Sequence, residues 1–318
     1  MKIKRNLDRN GTLGPLALNF LAGIPHQYIF SREQQLRHPS SIYNLSLDKL
    51  ARAFFAVAEG YARDTALFKD LPNGGFDIKV LLDAQEHLLR CLQEHLDDCY
   101  LILKTFVDPA TTKSKSIYAD QYVVDSKLPG AKAFIQASEG YRTSLKIVNK
   151  LKHSQGRLRG FGIYPGDGVY LGYFLEEPDK AGVVGPSPEI HPNQGAFSFA
   201  RDLKWRFFLV YSLSESLVKA VERALMALHQ TPIGKGEPPQ QQTEDWNRLA
   251  AAISNIPLAI FPKESRTSVA TVHLTGDGRE LSMKFPDRVH IVYPSLSGRA
   301  VVSTVGDGFS RQFKLPLP

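Results

Sequence analysis

Apolar positions fall at helical spacing in the first half of this chain and at strand spacing near its end. Leu47, Leu50, Phe54, Val57, Ala58 and Tyr61 recur at intervals of three and four. That period predicts an amphipathic helix, with Ser46 as its N-cap and Leu71-Pro72-Asn73-Gly74-Gly75 as its stop. A second helix is predicted over 78–106, where Leu81, Leu88, Leu92, Leu96, Cys99 and Leu103 line one face and Asp108-Pro109 closes it. The stretch 111–126 is polar and partly extended. Pro129-Gly130 opens a third predicted helix over 131–153, with Phe134, Ala137, Tyr141, Leu145 and Val148 as its core stripe and Gly156 as its stop. Three such helices on short connections predict an antiparallel bundle.

The pattern changes after Gly156. Pro165-Gly166-Asp167-Gly168 is a turn sequence, and Val169, Tyr170, Leu171, Tyr173 and Phe174 predict strand within 162–176. Residues 177–195 are rich in Pro and Gly and predict a loop. The longest predicted helix covers 198–229, and Leu203, Trp205, Phe207, Phe208, Leu209, Val210 and Tyr211 make its first half apolar on most faces, as in a buried helix. Residues 231–243 (TPIGKGEPPQQQT) predict a linker. A short helix over 245–254 precedes strands predicted at 269–275, 281–285, 289–293, 300–305 and 309–315. Their turns fall at Gly276-Asp277-Gly278, Pro294-Ser295 and Gly306-Asp307-Gly308. The expected class is α+β: an N-terminal antiparallel helical bundle, then a mixed α/β segment, then a C-terminal antiparallel β-meander. The expected division is an irregular arm over 1–44, a helical bundle with an inserted β-hairpin over 45–230, a linker over 231–244 and a β-rich module over 245–318.

Composition narrows this picture. A hydrophobic share of 43% supports a packed core and excludes whole-chain disorder. The 39 Lys+Arg against 32 Asp+Glu leave a net charge of +7, which favours an anionic partner. The two cysteines, Cys91 and Cys99, lie on one predicted helix, about 12 Å apart at ~1.5 Å per residue, too far for a disulfide with each other. Their use fits a reducing compartment. The apolar positions near the N-terminus are interrupted by Gly14, Pro15, Asn19, Gly23 and Pro25, unlike a signal sequence, and no window reaches the roughly 20 apolar residues of a membrane span. A cytoplasmic protein with no membrane partner is expected.

The chemistry concentrates at the end of the third predicted helix. Arg142, Lys146, Lys150, Lys152, Arg157 and Arg159 occur without an intervening acid. On a straight helix Glu139, Arg142, Lys146, Asn149 and His153 stack in one polar column opposite the core stripe. Lys and Arg near a helix C-terminus complement its dipole, so a solvated helix end accounts for the charges equally well. The alternative is a phosphate-contacting patch with an amide and an imidazole at its centre.

Asn149-Lys150-Leu151-Lys152-His153, late in a bundle helix, resembles the HEPN superfamily of helical domains, over about 45–160 of this chain. That superfamily includes toxin nucleases of toxin–antitoxin pairs and RNase modules of antiviral and CRISPR systems. Its motif is Arg, four to six residues, then His, with Asn often directly after the Arg. His153 matches the His and Asn149 the polar residue. The Arg slot holds Val148, and Lys146 is the cation within the allowed spacing. The resemblance implies a nucleic-acid-associated protein, an endoribonuclease needing no metal or an inactive relative of one, in a bacterial defence or toxin–antitoxin setting. It implies His153, Asn149 and Lys146 as catalytic residues, and a homodimer through the bundle that brings two sets together. Arg142, Lys150, Lys152, Arg157 and Arg159 would hold RNA phosphates. No cofactor or metal is expected. Lys lacks the bidentate fork of Arg, which weakens the nuclease alternative. The competing expectation is a non-catalytic dimerisation or adaptor scaffold whose β-rich module binds a protein partner.

Other motifs carry less. His87, Cys91, His95 and Cys99 repeat at spacing four, but along one helix they span about 18 Å at ~1.5 Å per residue and cannot share one ion. The two Gly-Asp-Gly triplets fit hairpin turns. Glu189 and His191 fit loop chemistry. No P-loop, H-E-x-x-H or G-x-S-x-G is present.

Overall fold

The computed structural model describes residues 1–7, 12–68, 77–153, 156–164, 168–178, 180, 183–229, 244–291, 293 and 297–300. These form a mixed α+β protein with two antiparallel sheets. The elements run β1 (Lys2–Asn6), α1 (Ala17–Ala22), α2 (Pro39–Phe68), α3 (Lys79–Lys104), α4 (Ala119–Asp125), α5 (Ala131–Ser144) and α6 (Lys146–His153). They continue as β2 (Arg157–Tyr164), β3 (Tyr170–Pro178), β4 (Val184–Pro186), β5 (Phe197–Ser198), α7 (Phe199–His229), α8 (Glu244–Asn255), β6 (Val269–Thr275), β7 (Glu280–Asp287) and β8 (Ser297–Ala300).

The helical framework follows the apolar period. In α2 the buried Leu47, Leu50, Phe54, Val57 and Tyr61 recur at three- and four-residue steps and pack along α3. In α3 Leu81, Gln85, Leu88, Leu92, Leu96, Cys99 and Leu103 are buried along one face at the same steps. The first half of α7 is buried almost all round, and Phe207 meets Phe54 edge to face at 5.8 Å. One core cluster runs from Ile3 through these helices to Met283.

Several expectations need correction. Helix α2 begins at Pro39, not after Ser46. Ile42 and Tyr43 extend the apolar period upstream, and Ser46 is buried inside the helix with its Oγ 2.8 Å from Nδ1 of His95. The third helix is two helices. Leu145 N–H donates to the carbonyl of Arg142 and Val148 N–H to that of Leu145, both at 2.9 Å, so the chain tightens to three-residue hydrogen bonds there and the helix is interrupted at Leu145. The arm at 1–44 is not irregular throughout. Strand β1 pairs antiparallel with β7 (Ile3 opposite Met283), and α1 buries Ala17, Leu18 and Leu21.

The C-terminal meander is also reorganised. β6 and β7 form the expected hairpin, with Gly276, Asp277 and Gly278 at positive φ of 61°, 55° and 85° in its turn. Its second edge partner is β1, giving the order β1-β7-β6. Residues 289–291 and 293 are not strand. β8 instead joins the other sheet, ordered β4-β3-β2-β8, where Phe161 lies opposite Ala300. The expected linker at 231–243, the stop at 71–75, the turns at 294–295 and 306–308 and the strands over 301–305 and 309–315 lie outside the described residues.

Both cysteines are free and buried, and burial raises both thiols above their ordinary range. Among the described residues no helix is long and apolar enough to cross a membrane.

Candidate nucleic-acid interface

Helix α6 carries the residues singled out by the resemblance. It is short because Leu145 breaks it from α5 and the chain turns into β2 after His153. Ile147 and Val148 are buried, while Lys146, Asn149, Lys152 and His153 are exposed and Lys150 is half-buried. Val148, in the Arg slot of the motif, is 0% exposed. A guanidinium there would point into the core and lose its hydration, so this position is built for an aliphatic side chain.

The straight polar column does not survive the break at Leu145. Arg142, on α5, donates from Nη2 to the Tyr100 hydroxyl at 2.9 Å and to Asp120 at 3.2 Å, and its guanidinium lies over the Tyr100 ring. It is thus held by α3 and α4. Lys146, Asn149, Lys150, Lys152 and His153 remain together on α6.

Carboxylates meet most of the cations. Lys150 Nζ lies 2.9 Å from Glu177 on β3 and 3.1 Å from Glu189, in the segment after β4. Lys146 Nζ reaches the same Glu189 at 3.6 Å. Lys150, with Lys146 behind it, pulls the Glu189 carboxyl below its ordinary range. Ser187 Oγ donates to Glu177 at 2.6 Å, which completes the cluster. Arg159 is matched to Glu176 at 2.9 Å across the β2–β3 ladder. Lys152 donates to the Gln93 amide oxygen at 3.2 Å, and Arg157 is exposed at the first position of β2. Neither Lys152 nor Arg157 forms an ion pair among the described residues.

Two features escape a reading of the basic run, the carboxylates at α6 and a polar segment elsewhere on the helical half. Glu177 and Glu189 are distant from it in sequence and arrive from β3 and from the segment after β4. The second feature is the segment before α4. Ser114 N–H donates to Thr112 Oγ1 (3.2 Å), Ser116 N–H to Ser114 Oγ (3.4 Å) and Tyr118 N–H to Ser116 Oγ (3.1 Å). Each hydroxyl thus holds the backbone ahead of it. The residues between them, Lys113, Lys115 and Ile117, are left exposed, and Tyr118 is exposed beside them. The alternation of Ser with Lys, Lys and Ile is the sequence signal for it.

The chemistry available on α6 is an exposed imidazole, an amide and an ammonium side by side. An imidazole can move a proton, but stabilising a phosphorane needs cations aimed at its oxygens. Two of the three lysines on α6, Lys146 and Lys150, are already matched by carboxylates.

No family model matches the chain, and no curated protein or solved structure matches it.

Proposed function

We propose that this is a HEPN-like nucleic-acid-associated protein that holds RNA without cleaving it. The carrying observation is the division of charge on α6. Lys146 and Lys150 share Glu189, while Asn149, Lys152 and His153 stand exposed, with Arg157 exposed on β2; Asp97 acts on Lys152 and Glu176 lies opposite Arg157, but neither cation forms an ion pair among the described residues. Exposed cations beside an amide and an imidazole suit phosphate and 2′-hydroxyl contacts. The buried Val148 leaves no bidentate clamp for a scissile phosphate. The setting that accompanies the resemblance, bacterial defence or toxin–antitoxin pairing, is part of the same reading.

The test is binding of a labelled RNA to the full chain across a salt series, with cleavage followed on gels. Retention should fall steeply with salt, and Lys152→Glu with Arg157→Glu should weaken it further. The RNA should remain intact with both the parent protein and His153→Ala. Absence of retention at low salt, or retention indifferent to the two reversals, overturns the reading. Cleavage that disappears in His153→Ala would instead establish a nuclease.

The pairing of Lys146 and Lys150 with Glu189 also favours a second reading, a non-catalytic adaptor whose α6 face meets a protein. Retention of a protein partner that survives the double reversal, with no RNA binding, would select it.

A further inference from the structure

Away from α6, the middle of α2, the end of α8 and the start of β3 enclose a cleft of about 720 Å³. Such a volume lies within the roughly 300–1,000 Å³ of small-molecule sites. Its hollow comes from small side chains. Ala58, Ala62 and Ala66 follow one another at four-residue steps on α2, and Ala62 and Ala66 are exposed. From Phe55 to Ala66 the helix presents a furrow about 16 Å long at ~1.5 Å per residue. Phe55, Tyr61, Val169, Tyr170, Ile256 and Leu258 line it, so it is predominantly apolar.

The charge at its lip is one-sided. Arg248 on α8 lies over the Phe55 ring at 5.8 Å, but Asp245 balances it at 3.5 Å. Glu59 lines the cleft, is exposed and has no ion-pair partner among the described residues. Aromatic side chains add to this. Tyr61 and Tyr170 line the cleft, and Tyr293 lies beside Tyr170 with ring centroids 6.3 Å apart. Aromatic faces attract cations, and a carboxylate in reach adds Coulomb attraction. We infer that this cleft binds a linear amphiphile, an alkyl chain laid along the alanine furrow with an ammonium head held by the Glu59 carboxylate at its lip. This goes beyond the RNA-holding role and does not depend on it.

Calorimetric titration of the full chain with octyltrimethylammonium, 1-octanol and octyl sulfate, each below its aggregation limit, tests the inference. The cation should bind saturably at one site, about fivefold tighter than the alcohol, with the sulfate weakest. Glu59→Gln should bring the cation down to the level of the alcohol. Ala62→Phe and Ala66→Phe, at exposed positions where the ring lies in the furrow rather than in the core, should abolish saturable binding of both. Failure of the cation to saturate, equal or tighter binding of octyl sulfate, or binding unchanged in both phenylalanine variants overturns the inference.

Discussion

Nε2 of His191 accepts the backbone N–H of Leu175 at 2.9 Å, and its Nδ1 donates to the carbonyl of Gly195 at 2.8 Å. Both ring nitrogens are therefore committed in the neutral Nδ1–H tautomer. The Leu175 carbonyl in turn accepts Ser187 N–H at 2.8 Å. His191 and Ser187 thus complete β3 at a point where β4 pairs only with Glu176, Glu177 and Pro178. A proton on Nε2 would set two donors against each other.

This arrangement predicts acid sensitivity. Burial pulls His191 down to about 4 and the fully buried His95 down to about 3, from an ordinary value of 6.5. Above pH 6.5 neither state binds these protons. As the pH falls through 6.5, the unfolded chain takes them up and the folded chain does not, so stability declines until the folded values are reached. These two histidines together contribute up to about 2.7 kcal/mol per pH unit near pH 5, and the carboxylates Asp97, Asp98 and Glu264, raised by desolvation, offset part of it. Urea unfolding at pH values on either side measures it. His191→Gln should lower the slope by up to about 1.4 kcal/mol per pH unit, and a slope unchanged in the variant would mean that His191 does not contribute.

A second prediction concerns the buried ion pair on α7. Asp202 accepts Arg206 Nε at 2.6 Å, the Tyr173 hydroxyl at 2.8 Å and Gln85 Nε2 at 2.9 Å. Arg206 is 2% exposed and Asp202 7%. Asp202→Asn leaves the guanidinium buried without a counter-charge and should cost about 3–5 kcal/mol. Replacing both, as Asp202→Leu with Arg206→Met, should recover only part of that loss, because the buried Tyr173 hydroxyl loses its acceptor. Urea midpoints for the three proteins decide it. A double variant no more stable than Asp202→Asn would mean that the network positions the chain beyond its charge balance.

A third prediction contrasts two glycines. A Cβ on Gly172 in β3 would overlap the Phe197 carbonyl oxygen and the Phe261 ring. The carbonyl belongs to the paired strand β5 and cannot withdraw without breaking that pairing. Gly172→Ala should therefore destabilise by about 1–3 kcal/mol through overpacking. Gly140, exposed on α5, has open space where its Cβ would be. Gly140→Ala should stabilise by about 1 kcal/mol through helix propensity. Opposite shifts of the two unfolding midpoints are expected, and shifts of the same sign would refute the contrast.

Where the fold was legible, a local period carried it. Helix α3, helix α7 and the β6–β7 hairpin lie within a few residues of their predicted bounds because each is set by its own apolar spacing or turn. What was missed is non-local. Nothing near Lys2–Asn6 announces a partner at Glu280, and nothing in 297–300 announces β2. The break at Leu145 carries no Pro or Gly, so the sequence gives no warning of it. That break takes Arg142 out of the column with Lys146. The candidate site suffered in the same way. The basic run was visible, but Glu177 and Glu189, which match it, come from β3 and the segment after β4.

The last prediction follows from those two carboxylates. Glu189 reaches Lys146 and Lys150 with half of its side chain in solvent, and exposed pairs of this kind contribute little to stability. Their effect falls on partners instead. Glu189→Gln removes one negative charge from the α6 surface and frees Lys146, while Glu177 continues to hold Lys150. If RNA is held here, the variant should bind it about two- to fivefold tighter at low ionic strength, and the gain should fade as salt screens the surface. Its unfolding free energy should stay within about 0.5 kcal/mol of the parent. Glu177→Gln offers the contrast. Glu177 is only 13% exposed and also accepts Ser187 Oγ, so its loss should lower stability as well as raise affinity. Binding unchanged in both variants would place the RNA contact elsewhere, because no polyanion near α6 could be indifferent to both charges.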